Sequence, residues 1–128
     1  MINVGSTASL VPVPYAAVYA ATKAFVLSFS ESLYGEYAPL GVTITALCPG
    51  GTDTNFASTA RPGSAPPPNM RATPDAVAEA ALDAFLAGRA FVVPGMGNYV
   101  NAVVLPRLLP RETVIGIVAN MWRKILGK

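Results

Sequence analysis

The chain has 128 residues, of which 52% are hydrophobic and 12% charged, with a net charge of +2, one cysteine and no histidine. That length suits one domain, and so apolar a composition leaves little charged material for a solvated surface, which implies a large core or interface. The missing histidine excludes a Ser-His-Asp or Cys-His centre within the chain, scattered basic residues argue against nucleic-acid binding, and one thiol with seven carboxylates predicts neither an internal disulfide nor a zinc site.

No apolar run reaches the length of about 18 residues that a transmembrane helix needs. Met1-Ile2-Asn3 lacks the basic start of a signal peptide. A cytoplasmic location is the expectation from these features.

Ile2-Asn3-Val4 predicts the end of a buried strand, and Gly5 to Pro14 a loop of small residues and prolines. From Ala16 to Tyr37 the pattern turns helical. Phe25, Phe29 and Leu33 recur four apart, and Val26 and Leu27 widen that apolar stripe. Pro39 and Gly41 close the helix.

Residues 42–47 alternate and are β-branched, which predicts a strand broken by Pro49-Gly50-Gly51. Residues 51–72 read as a long loop, and loops of that length in compact domains tend to be functional or disordered. Thr73 as N-cap and Pro74 at the first helical position start a second helix. Its expected apolar face is Ala78, Ala81, Leu82 and Phe85, and Gly88 ends it.

Phe91-Val92-Val93 predicts a third strand, closed by Pro94-Gly95. The remainder reads as helical pieces broken near Pro106 and Pro110. A terminal helix then carries Val114, Ile117, Val118, Met121, Trp122 and Ile125 on one face. That face suits three partners: the chain's own core, a second subunit or a membrane surface. Strand, helix, strand, helix, strand in this order implies an α/β fold with parallel strands and right-handed crossovers.

Three motifs carry chemistry. Tyr19-x-x-x-Lys23 puts a phenol and an ammonium on one helix face. A free tyrosine titrates near pH ~10, and a neighbouring cation stabilises the phenolate, so the pair can move a proton to or from an oxygen. A packed tyrosine beside a solvated lysine has the same spacing. Ser6 lies thirteen residues earlier, at the carboxyl end of a strand where open α/β sheets place ligands. Its hydroxyl can hydrogen-bond a substrate oxygen, although a serine after a glycine is equally a turn residue. The turn Pro49-Gly50-Gly51-Thr52-Asp53-Thr54 exposes amides and hydroxyls that can bind a carboxamide or phosphates; a plain strand-ending turn reads the same way.

Asn3-Val4-Gly5-Ser6, Tyr19-x-x-x-Lys23 and Pro49-Gly50-x-Thr52-x-Thr54 together resemble the short-chain dehydrogenase/reductase superfamily in order and spacing. The resemblance covers residues 1–95, and the tail from Pro106 is similar to a C-terminal extension in one bacterial subgroup. It implies a fold: the C-terminal half of a Rossmann-like doubly wound parallel sheet, about three strands with flanking helices. Residues 1–128 would be one partial domain, with 51–72 as a substrate lid and 96–128 as a helical extension.

It also implies an NAD(P)(H)-dependent oxidoreductase that interconverts a small carbonyl and alcohol. Tyr19 would be the acid in reduction and the base in oxidation, Lys23 would assist it and bind the nicotinamide ribose, and Ser6 would hold the carbonyl. Pro49, Gly50, Thr52 and Thr54 would line the nicotinamide end of NAD or NADP. The family's glycine-rich turn, G-x-G-x-x-G, is not found in this sequence, nor is its catalytic asparagine. The expectation is therefore a chain that pairs with a missing half or forms a homo-oligomer. The alternative is a non-catalytic remnant that acts through self-association.

Overall fold

The computed structural model describes residues 1–60, 63 and 65–128. Three short strands, β1 (Ile2–Val4), β2 (Thr45–Leu47) and β3 (Phe91–Val92), form one parallel sheet in the order β1-β2-β3. Ile2 lies opposite Thr45 and Val4 opposite Leu47, while Ala46 faces Phe91 across the other side. The fold is α/β, as the order of elements predicts.

Alternation along β2 assigns its side chains to two helical layers. Ala46 and Cys48, both 0% exposed, pack with Leu27 of α1 (Ala17–Tyr37), Val93 and Val103. Leu47 points the other way, onto Val77, Ala81 and Ala84 of α3 (Pro74–Leu86), with Val92 beside it. Both faces of the central strand are thus dry, the usual state of a parallel sheet.

Thr73 caps α3 by accepting from the Ala76 amide at 3.3 Å, with Pro74 at the first position, as its sequence predicts. The buried faces differ from the predicted stripes. On α1 the sheet takes Leu27 and Ser30, Ala20 is buried with Val13, Val114 and Val118, and Phe25 and Phe29 are 67% and 49% exposed and stack on each other. On α3 the sheet takes Val77, Ala81 and Ala84, and Leu82 stays out. Both helices are apolar around much of their circumference, so periodicity alone cannot choose a face. Small side chains win because they let the helix approach the sheet closely. Ser30 satisfies itself there by donating to the Val26 carbonyl at 2.6 Å and accepting from Asn3 at 3.0 Å, which ties α1 to β1.

The span 51–72 is not wholly irregular. It contains α2 (Phe56–Ala60) and a bridge that pairs Thr52 with Ala72. Residues 61, 62 and 64 of the predicted lid lie outside the described residues. After β3, α4 (Met96–Tyr99) runs through a π-helical turn at Val100–Val104 into α5 (Leu105–Leu108). The predicted break at Pro106 does not occur. The widened turn before it accommodates a residue that has no amide to donate and whose ring needs room. The chain breaks at Pro110 instead and resumes as α6 (Arg111–Ile125).

Of the three partners open to α6, the structure provides its own core: Val114 and Val118 pack on Val13 and Ala20. Among the described residues no helix is long and apolar enough to cross a membrane.

Burial of Cys48 pushes its thiol pKa up, against smaller opposing effects from the Ser6 backbone and the Ser9 hydroxyl. The unfolded chain ionises this thiol near pH ~8.5. The folded state holds the proton longer, so this contribution to stability is complete below that pH and falls as pH rises through the folded pKa. Urea titrations between pH 7 and 10 should therefore show a steeper alkaline loss for the native chain than for Cys48→Ala. Parallel pH profiles would contradict a buried, protonated thiol.

Candidate active site

Parallel strands deliver their following loops to one edge of the sheet. Ser6 follows β1, Pro49 to Thr54 follow β2, and Pro94 to Asn98 follow β3. One cavity of about 790 Å³ opens at this edge. All seven residues singled out in the sequence, Ser6, Tyr19, Lys23, Pro49, Gly50, Thr52 and Thr54, line it.

Ser6 is buried and caps a one-turn helix at Thr7–Ser9. Its Oγ accepts from the Ala8 amide at 3.1 Å, and its own amide donates to Ser9 Oγ at 3.1 Å. The hydroxyl proton is left to donate elsewhere. Gly5 stands where an added Cβ would lie 3.1 Å from Cys48 Sγ and from Ser9 Oγ, so a side chain there would disturb the turn that aims Ser6.

Tyr19 and Lys23 sit one turn apart on α1, both half-buried. The Lys23 Nζ lies 5.9 Å from the Tyr19 ring centroid and donates to the Val4 carbonyl at 3.0 Å. That bond fastens α1 to the end of β1 beside Ser6. The Tyr19 ring is 6.4 Å from the ring of Phe56 on α2. Thr54 Oγ1 in turn accepts from the Phe56 amide at 3.3 Å, which holds the start of α2.

The turn after β2 is held from two sides. A Cβ on Gly50 would come within 2.6 Å of the Asn98 amide atoms, and one on Gly51 within 2.9 Å of the Met70 carbonyl. These glycines admit the protein's own atoms rather than open space. Asn98 is fixed by donating to the Pro94 carbonyl at 3.0 Å. Thr52 Oγ1 donates to the Gly50 carbonyl at 3.3 Å, and Ala72 donates to the Gly51 carbonyl at 2.8 Å. Among the described residues the amides of Gly50, Gly51 and Thr52 have no backbone partner, which leaves successive donors at the cavity.

Sequence reasoning missed Phe56, Asn98 and Asn101, which also line the cavity. None sits in a motif or a periodic stripe. The apolar face of α6 was visible, but its role as a cavity wall was not.

The family model for short chain dehydrogenase matches residues 1–65. Over all 128 residues the chain is 28% identical to the very-long-chain 3-oxoacyl-CoA reductase of Rattus norvegicus, covering 40% of that protein. It is 32% identical over 113 residues to 2-(S)-hydroxypropyl-CoM dehydrogenase 3 of Xanthobacter autotrophicus, covering 74% of this chain and 44% of that one. A short chain dehydrogenase from Burkholderia cenocepacia, solved in complex with NADP, superimposes with a TM-score of 0.72 at 26% identity, over 91% of this chain and 47% of its own. The chain thus spans under half the length of each of these relatives.

The contact between Gly50 and Asn98 makes a specific prediction. Gly50→Ala should cost about 1–3 kcal/mol through overpacking, because the methyl group displaces an amide tied to Pro94. Asn98→Ala removes the obstruction, so Gly50→Ala should cost less in the Asn98→Ala background than in the native chain. Additive effects in a urea-denaturation cycle would mean that Asn98 does not hold the turn.

Proposed function

We propose that this chain, which belongs to the short chain dehydrogenase family, supplies the catalytic residues of an NAD(P)(H)-dependent oxidoreductase that interconverts a carbonyl and an alcohol. The observation that carries the reading is the convergence of Ser6, Tyr19 and Lys23 with the Pro49–Thr54 turn on one cavity at the carboxyl edge of a parallel sheet.

The residues fit the nicotinamide end of a dinucleotide. Lys23 offers an ammonium, Thr52 a hydroxyl, and the turn offers successive backbone amides. A bound dinucleotide would supply or accept the hydride. Ser6 would donate its hydroxyl proton to the substrate oxygen and fix it beside Tyr19. In reduction the Tyr19 phenol would give its proton to that oxygen; in oxidation the phenolate would take it back. Lys23 would stabilise negative charge on the phenolic oxygen and hydrogen-bond a ribose hydroxyl. For the second role its Nζ must share or leave the Val4 carbonyl. Phe56 packs near the Tyr19 ring and would limit its swing.

Two exposed features support association. β1 is an edge strand with one side of its backbone unpaired in the sheet. The outer face of α1 presents Val18, Phe25 and Phe29 to solvent. The reading assigns these surfaces to a second copy or to further family residues that complete the dinucleotide site. The alternative, a non-catalytic remnant, uses the same surfaces without turnover.

The test compares the chain alone with its fusion to the N-terminal half of the Burkholderia cenocepacia relative, using NADH and NADPH. In the fusion, Tyr19→Phe should lower kcat at least a thousandfold, since it removes the transferable proton. Ser6→Ala should lower kcat about a hundredfold, the order found on removing one donor to a developing oxyanion. Near-normal turnover of the Tyr19→Phe fusion would end the assignment, and no turnover of the unmodified fusion would favour the remnant.

A further inference from the structure

The walls of the cavity beyond Ser6 and Tyr19 are largely apolar. Tyr19 and Lys23 are the only ionisable residues among its described lining, which holds no carboxylate or guanidinium. Ile117 and Met121 of α6, Phe56 of α2, Met70 and Leu105 all line it. Each is also substantially exposed, from 40% for Leu105 to 60% for Phe56. These are large apolar side chains, drawn from four separate segments, that share one cavity and lack a cover. Such a surface calls for an apolar occupant.

The position of α6 shows which part of the occupant it would meet. Val114 and Val118 seat α6 on Val13 and Ala20. Ala20 adjoins Tyr19 in sequence, so the α6 wall stands next to the proton-transfer residue. The polar turn at Pro49–Thr54 borders the same cavity from the end of β2. A molecule whose oxygen meets Ser6 and Tyr19 therefore has apolar wall available along α6, α5 and α2.

We infer that the substrate is a neutral ketone, or its secondary alcohol, with a long or bulky apolar arm, and that α6 is the wall that selects it. The inference rests on the oxidoreductase reading for the carbonyl, but the arm is read from the cavity itself. Among the described residues the stretch of wall from α2, α5 and α6 carries no ionisable side chain, so a charge on the arm would be buried unpaired against it, which is costly. The cavity of about 790 Å³ takes the nicotinamide end at the Pro49–Thr54 turn on the proposed function, and its α2, α5 and α6 walls bound the remainder.

Trp122 lines this cavity and is the only tryptophan, so its emission reports on the wall directly, with no need for turnover. The chain is titrated with 2-hexanone, 2-octanone and 2-decanone, and with 4-oxopentanoate as a charged comparison. The dissociation constant should fall about fifteenfold for each added pair of methylenes, and 4-oxopentanoate, whose carboxylate gains nothing from the apolar wall, should bind more weakly than 2-decanone. Ile117→Asn and Met121→Gln change wall residues that are 55% and 41% exposed. Each should weaken 2-decanone about tenfold and leave 2-hexanone within twofold. Tyr19→Phe should stop reduction in the fusion and keep the chain-length trend, which separates this inference from the reaction it serves. Equal affinities along the series, or preference for the charged ketone, would overturn it. So would emission that follows protein concentration and ignores ketone, because a second copy would then be the cover.

Discussion

Everything in this structure follows from the need to keep water off both faces of β2. Thr45, Ala46 and Leu47 are buried, and Thr45 closes its own hydroxyl by donating to the Arg89 carbonyl at 2.7 Å. A strand covered on two sides needs a helical layer on each, and parallel pairing requires long crossovers to bring the chain back. Those crossovers are α1 and α3. Because the three strands run the same way, their exits share one edge. Ser6, the Pro49 turn and the Pro94–Asn98 segment meet there as a geometric consequence of the sheet.

The same constraint explains why the edge is so closely packed. Small residues at 46, 48, 81 and 84 let the helices sit near the sheet, and the exits are then crowded together. Glycines at 5, 50 and 51 are the response: each faces atoms of another segment where a Cβ would stand. Their role at this edge is to let three loops interlock. Ser6 and Asn98 owe their placement to that interlocking, and Lys23 adds a direct tie from α1 to the Val4 carbonyl.

The parts legible in the sequence were those set by local chemistry. β-Branched residues marked β2, Thr73-Pro74 marked the start of α3, and the spacing of Ser6, Tyr19 and Lys23 marked the cavity residues. Which helix face would be buried was only partly legible: Leu27 of the expected stripe packs on β2, but Phe25 and Phe29 stay exposed while the smaller, more polar Ser30 is buried against β1. The continuation through Pro106 depends on a π-helical turn that no residue pattern announces. Asn98 and Phe56 reached the cavity through tertiary packing, and neither belongs to a motif.

Composition alone could not say where the excess apolar surface would go. The structure divides it into two kinds. Phe25 and Phe29 project from a convex helix face and stack on each other, so their cover must be another surface. Ile117 and Met121 line a concavity that also holds Tyr19 and Lys23, so a small molecule can cover them. The two kinds make different demands on the same chain. A convex patch can be covered only by another surface, and on the proposed association that cover would be present whether or not substrate is bound. A concave wall is satisfied only while it is occupied, so its apolar energy is available to binding rather than to folding. The placement of α6 on Val13 and Ala20, with Ile117 and Met121 left over the cavity, therefore gives a single helix a part in both the core and the cavity wall.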